Sequence, residues 1–353
     1  MQQPQEVPVE QAELLDRARA LHARMPVIDL HSHFLLSATI FRRRFHEAHT
    51  PRRWPKPFRS SIDLPRLLEG GVSGQVFTVY VPGKPLFFAN RERADKQLDL
   101  YERIVRACDG AVAPCTTAAE FEAARAAGRF ASFAAIEGCH HLDGDVDALD
   151  HFFARGVRLM QLTHFVATDV ADSAQSPYRP HGGLSKLGER VVLRMNRLGL
   201  VVDVAHMTDP GIARVADVAQ APFVCSHAGV RALRDLERSL STESVDLIAK
   251  SGGLVGVILF PMLLAKGGAT VDTVVDHLAW LADRVGPEHL GIGSDLDGPT
   301  WAPEGLRDVR DFPVLTARML ARGFSEADVA GIWGGNFLRV LDAAAGAARA
   351  ASA

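Results

Sequence analysis

Seven residues with metal-binding or acid–base side chains stand where apolar runs break off: His31 and His33 in VIDLHSH, Glu137 in FAAIEG, His164 in MQLTH, His206 in VVDVAH, His227 in FVCSH and Asp295 in LGIGSD. Imidazole nitrogens and carboxylate oxygens are the donors of a hydrolytic Zn²⁺ site, and activation of water for attack on an amide or ester is the chemistry they imply. In a strand, residues two apart face the same way, so His31 and His33 are expected to offer two imidazoles together. Taken alone, that short pattern is read equally well as two satisfied core histidines. Recurrence shifts the balance. Burying unpaired ionisable groups is costly, and core packing gives no reason to set one at the end of most strands. Six donors (His31, His33, Glu137, His206, His227 and Asp295) exceed the needs of one tetrahedral ion. Two Zn²⁺ per chain, sharing a carboxylate and a hydroxide, would use them all. Glu137 is the natural bridge, because the fourth predicted strand ends Leu162-Thr163-His164 without a lysine to serve.

Something must bring these residues to one level. Apolar strand candidates lie at 26–33, 72–81, 131–137, 156–163, 200–206, 222–227, 253–260 and 289–295. Helical patterns separate them, at 61–70, 89–108, 145–155, 186–198, 210–219, 242–251, 270–284 and 309–322, with further helices near 117–127, 325–332 and 335–346. Eight strands alternating with helices predict parallel pairing and closure into a (β/α)₈ barrel, whose active site lies at the strands' C-terminal ends. An open doubly wound sheet would offer a glycine-rich phosphate loop after its first strand, where this chain has HSHFLL. The expected organisation is an N-terminal helical extension over 1–25, a single barrel domain over 26–346 and a disordered tail over 347–353. Two long irregular connections are expected, 34–60 and 164–185. The first carries the basic and aromatic FRRRFHEAHTPRRWPKP and is expected to supply a substrate pocket or lid.

Composition excludes some classes. The 353 residues are 47% hydrophobic and 23% charged, ample for a large core, and the formal net charge of -3 gives no reason to expect nucleic acid or a membrane surface as partner. The N-terminal stretch lacks the basic and apolar regions of a secretory signal, and no run approaches the length of a membrane span, so a cytoplasmic location is expected. Cys108, Cys115, Cys139 and Cys225 show no metal-knuckle spacing and are expected to be free thiols, with Cys225 packed in the core.

At this point the residues resemble a known family, the membrane (renal) dipeptidases of the amidohydrolase superfamily. The resemblance covers roughly residues 26–340 and rests on IDLHSH, AAIEG, the LTH…ADS segment at 162–173, DVAH, SHAGVRAL through Arg238, GIGSDLDG and GGNFLRVL. It implies a zinc-dependent barrel hydrolase. His31, residue 33 and Asp295 would bind one metal, and His206 and His227 the other, with Glu137 between them. His164 would polarise the scissile carbonyl or hold the oxyanion, and Arg238 would pair with the substrate carboxylate. Without the resemblance, Arg238 reads as a solvated surface arginine. Three departures surround the substrate. The usual His-x-Asp is His31-x-His33, Ile258 and Phe260 stand where more polar residues are usual, and the FVATDVADS loop after His164 lacks the family's Asn/Trp character.

The expected activity is therefore cleavage of a dipeptide amide bond by a metal-bridged hydroxide, with Asp295 passing the proton to the leaving amine. The departures keep a related activity on another small amide, N-acyl amino acid, lactone or ester as the alternative, and a binding protein that has lost hydrolysis as a third. The expected partner is a small-molecule or dipeptide substrate, and the oligomeric state stays open, a homodimer included. Asp297 is expected to shape a turn or support a ligand, Asp29 to support an imidazole, and His140, His141 and His181 to be loop residues, with His140 near enough to Glu137 to watch.

Overall fold

The computed structural model describes residues 9–49, 59–81 and 91–352. Eight parallel strands form a nearly closed ring: β1 (Ile28–Ser32), β2 (Gly74–Tyr80), β4 (Phe130–Glu137), β5 (Val157–Gln161), β6 (Val201–Asp203), β7 (Phe223–Ala228), β8 (Val255–Ile258) and β9 (Leu290–Gly293). Nearly every residue in them is buried, as expected where helices cover one face of a parallel sheet and the barrel interior the other. The (β/α)₈ expectation holds. A ninth strand, β3 (Val112–Pro114), lies off the ring and pairs with Phe130–Ser132 of β4, below the stretch Ala134–Glu137 that pairs with β5. Three residues are too few to show a period, so the sequence gives no sign of it.

No ladder joins β1 to β9. The ring is closed there by backbone bonds just above β9: Asp295 N–H donates to the His31 carbonyl (2.9 Å) and His33 N–H to the Leu296 carbonyl (2.9 Å). Closure and site are thus built from the same residues.

The connecting helices begin where side-chain caps are available. Ser185, Ser241 and Ser325 accept the N–H three residues on, at the starts of α7 (Lys186–Leu198), α9 (Thr242–Lys250) and α13 (Glu326–Ala330), and Thr270 opens α11 (Val271–Val285) with a capping box. The N-terminal helix α1 (Val9–His22) buries Ala18 and Leu21 and packs on α12 (Phe312–Arg322). The last helix, α14 (Asn336–Ser352), brings Phe337 against Phe133 of β4, with ring centroids 5.4 Å apart, and adds Leu338 and Leu341 to the apolar cluster of Leu30, Val76, Leu159 and Val224. That cluster fills the N-terminal end of the barrel and leaves the C-terminal end for chemistry.

Two expectations change. Residues 347–352, expected as a disordered tail, continue α14, as the alanine-rich AARAAS favours. The 34–60 connection is not all irregular: Phe34–Phe41 forms α2, Phe45 is buried in the core, and 50–58 lie outside the described residues. The four cysteines are free and buried. No described helix is long and apolar enough to cross a membrane.

Candidate metal centre

All seven chemistry-bearing residues meet at the C-terminal end of the barrel. His31 and His227 lie within β1 and β7, and Glu137 is the last residue of β4. His164, His206 and Asp295 stand two or three residues past β5, β6 and β9. His33 is not on the strand. Pairing of β1 with β2 shifts register between Asp29 and Ser32, and His33 occupies the position just before α2 with φ −104° and ψ 29°. The two imidazoles converge nevertheless, through this break rather than by simple alternation, with Nε2 atoms 3.2 Å apart. His206 and Asp295 have positive φ, 68° and 58°. Such backbone is uncommon outside glycine and persists only where its surroundings hold it, a situation concentrated at functional sites.

Glu137 is the centre of the arrangement. Its Oε1 lies 3.4 Å from His164 Nε2, 3.5 Å from His206 Nε2, 3.6 Å from His31 Nε2 and 3.9 Å from His227 Nε2, and its Oε2 lies 3.5 Å from His33 Nε2. Asp295 Oδ1 approaches His33 Nε2 to 3.0 Å and His31 Nε2 to 3.8 Å. A second imidazole pair, His206 and His227, brings its Nε2 atoms to 3.0 Å. Three trios of donors have their atoms within 4.8 Å of one another: His31–His33–Glu137, His31–His227–Asp295 and Glu137–His164–His206.

These residues fit a metal. Burial holds the imidazoles of His31, His164, His206 and His227 well below their usual pKa, aided by neighbouring imidazoles and by Arg238, so they are neutral and able to coordinate. At His33 burial acts in the same direction, but Glu137 and Asp295 outweigh it and raise the ring. Burial pushes the Glu137 carboxyl up to about 7. Glu137 Oε2 has no hydrogen-bond donor although it is fully buried. Two pairs of Nε2 atoms facing each other beside a carboxylate oxygen that no donor reaches call for cations between them.

Around the candidate ligands runs a layer of supports. Asp203 of β6 accepts the N–H groups of Ala205 (3.0 Å) and Ser226 (2.9 Å), and Asp29 of β1 accepts those of His31 (3.3 Å) and Ser294 (2.8 Å). Asp29 was expected to support an imidazole. It holds backbone instead, because Ser294 of the facing segment brings both its N–H and its hydroxyl (2.5 Å) to the carboxylate. Asp297 shapes a turn at φ 63° and accepts Ser61 N–H at 2.6 Å, with Arg43 3.7 Å away. His140 turns aside to the Val81 carbonyl (2.7 Å) and lies tilted against His141, and His181 reaches the Thr168 carbonyl (2.8 Å).

Sequence reasoning missed Gln175, whose Oε1 bonds His206 Nδ1, and Gln161, whose amide lies 3.4 Å from Glu137 Oε1. Neither carries a signal of spacing. The supports do: an Asp two or three residues before a ligand recurs in DLH and DVAH, and a Ser directly before one in SH and SD.

A cavity of about 620 Å³ opens over the centre. His33, His164, His206 and Asp295 form its floor, and Tyr80, whose ring is 4.7 Å from His164, lines it beside them. Phe260 packs edge-on to Trp301 at 4.9 Å on its wall, whereas Ile258 is buried in the core and does not reach it. Arg238 is not on the surface. It is buried, lines the cavity, donates from Nη2 to the His227 carbonyl (2.8 Å) and leaves its Nε without a partner.

A (β/α)₈ barrel that gathers imidazoles around a central carboxylate at its C-terminal end defines the class of metal-dependent barrel hydrolases. The chain belongs to the membrane dipeptidase family (Peptidase family M19), whose profile matches residues 15–353. It is 32% identical over 333 residues to Dipeptidase aclJ of Aspergillus oryzae (strain ATCC 42149 / RIB 40), covering 90% of this chain and 78% of that one. It is also 32% identical over 341 residues to Dipeptidase 3 of Mus musculus, covering 93% of this chain and 66% of that one, just under two thirds of that relative's length. The crystal structure of a metallopeptidase from Rhodobacter sphaeroides, liganded with a phosphinate mimic of the dipeptide L-Ala-D-Ala, superposes with a TM-score of 0.81 at 27% identity, covering 91% of this chain and 99% of that one.

Proposed function

We propose that this protein is a zinc-dependent dipeptidase with two ions per chain, one held by His31, His33 and Asp295, the other by His206 and His227, with Glu137 shared. The observation that carries the reading is the convergence of five imidazoles on the Glu137 carboxylate within 3.9 Å, with Asp295 beside them. Bound there, the ions would polarise the scissile carbonyl and lower the pKa of a water toward neutrality.

The chain's own groups supply the rest. Asp295 is the one carboxylate of the cluster that lines the cavity, so it is placed to take the proton of the attacking water and pass it to the leaving amine. His164, neutral in its buried setting, can donate Nε2–H to the oxygen that gains charge as the carbonyl becomes tetrahedral. Arg238 offers the substrate carboxylate a charged donor already desolvated and held in place by the His227 carbonyl. Phe260 and Trp301, packed edge-on, give the cavity an apolar wall.

The apolar Phe260–Trp301 wall also favours a second reading, hydrolysis of N-acyl amino acids, whose acyl chain it would suit. One experiment separates the two. Protein purified without chelator is analysed for metal and assayed on L,L and L,D dipeptides beside N-acyl amino acids. Two equivalents of zinc with dipeptides cut fastest is the expected result. One equivalent or fewer with intact dipeptides would overturn it, and acyl amino acids cut instead would establish the second reading.

A further inference from the structure

Three arginines lie within the ten residues after β7, and the structure gives them different work. Arg231 is fixed: Nη1 pairs with Asp209 at 2.6 Å, and its other N–H groups reach the carbonyls of Leu236, Glu237 and Ser239. Arg238 is buried beneath the cavity wall. Arg234 lines the same cavity, half-buried, and its side chain makes one long bond, Nε to the Met262 carbonyl at 3.4 Å. Among the described residues no carboxylate pairs with it, since Asp209 is taken by Arg231 and Glu237 by Arg179.

The charge of the cavity is therefore lopsided. Among the described residues two guanidinium groups line it against a single carboxylate, Asp295, already 3.0 Å from His33. An ordinary dipeptide brings one carboxylate, which Arg238 would take. The second cation stands on the same loop four residues earlier, in the cavity lining that also holds Leu236 and Met262.

Resting on the dipeptidase reading, we infer that Arg234 forms a second anion subsite, for the side-chain carboxylate of an acidic residue at the carboxyl end of the substrate. Tethering favours that residue. The side-chain carboxylate of aspartate or glutamate is only two or three bonds from the carbon bearing the carboxylate that Arg238 holds, so one loop can meet both. Dipeptides ending in Asp or Glu are the substrate class this predicts.

The test compares Ala-Glu with Ala-Gln, near-isosteric peptides that differ in charge, as L,L and L,D forms on the metal-loaded protein. The wild type should favour Ala-Glu in kcat/KM by roughly five- to tenfold, through KM, and less at high salt. In Arg234→Gln the ratio should fall to about one, and Arg234→Lys should keep part of it; metal content and Tm serve as folding checks. A wild-type ratio of one, or a preference that survives in Arg234→Gln, overturns the inference. If neither peptide is cut, the dipeptidase reading fails separately, and calorimetric binding of N-acetylglutamate against N-acetylglutamine decides the subsite. Tighter binding of the glutamate form, lost in Arg234→Gln, supports it, and equal binding overturns it.

Discussion

At the junction of β1 with β9, Asp29 grips the backbone of His31 and of Ser294, the residue before Asp295; at the junction of β6 with β7, Asp203 grips that of Ala205, before His206, and of Ser226, before His227. In each, a fully buried carboxylate ties two neighbouring segments just below their ligands, and one ligand sits at positive φ. The rings above the clamps are treated differently. At β6–β7 both have Nδ1 partners, Gln175 for His206 and Ser226 at 2.8 Å for His227, so their Nε2 lone pairs are aimed inward. At β1–β9 the Ser294 hydroxyl is used on Asp29, His31 Nδ1 has only a 3.4 Å approach to Thr78, and His33 Nδ1 is buried without a partner. The two halves share a backbone device and differ in how firmly the ligands are oriented. His33 stands where the family usually has aspartate, which needs no Nδ1 partner, so the looser half is also the divergent one.

The largest effect should come from the group common to both halves. Glu137→Gln is expected to lower activity by about 10³-fold or more and to weaken retention of both ions, because it faces all five imidazoles. Metal analysis after dialysis, beside kcat, checks this; loss of one ion only would mean that the halves do not depend on a shared carboxylate. Smaller and asymmetric effects are expected from the clamps. Asp29→Asn should weaken one metal position by about 100-fold and Asp203→Asn the other by about tenfold, since Gln175 and Ser226 still orient the second pair of rings. Graded chelator with anomalous-scattering occupancies at the two positions measures the difference. His33→Asp, which restores an anionic ligand, should bring the two positions closer; equal sensitivity in the wild type would break the comparison.

Much of this was legible in the sequence, and the reasons are specific. Each ring strand is a buried apolar run between helical patterns, so eight could be counted, while β3 is too short to have a pattern. Helix α2 was hidden because FLLSATIF continues the apolar run past His33 and no side chain caps its start. The candidate ligands stood out because an ionisable residue at a strand end contradicts the run before it. Their mutual geometry was not visible, since it depends on the β1 register shift and on two residues at positive φ. Gln175 reaches His206 from 31 residues away, and the burial of Arg238 follows from a loop folding back onto β7; contacts between irregular segments leave no period to read.

Acid release of metal is the obvious way to compare the halves, but the scaffold has an acid sensitivity of its own. His22 of α1 is buried in a complete hydrogen-bond chain: Trp333 Nε1–H donates to Thr316 Oγ1 (2.6 Å), Thr316 lies 2.7 Å from His22 Nε2, and His22 Nδ1 lies 2.8 Å from the Gly70 carbonyl. A neutral ring satisfies every member, and a second ring proton would face the threonine hydroxyl. Burial accordingly pushes the His22 pKa down to about 4, partly offset by the Gly70 bond. An unfolded histidine titrates at about 6.5, so between there and about 4 the unfolded chain takes a proton that the folded chain refuses. The contribution is intact above that window, and stability falls as pH drops through it, by about 1 kcal/mol per pH unit. Tm against pH should therefore decline less steeply in His22→Gln than in the wild type, whatever the variant's Tm at neutral pH. Parallel curves would place the acid sensitivity elsewhere, at another buried imidazole such as His277 or at the candidate metal ligands.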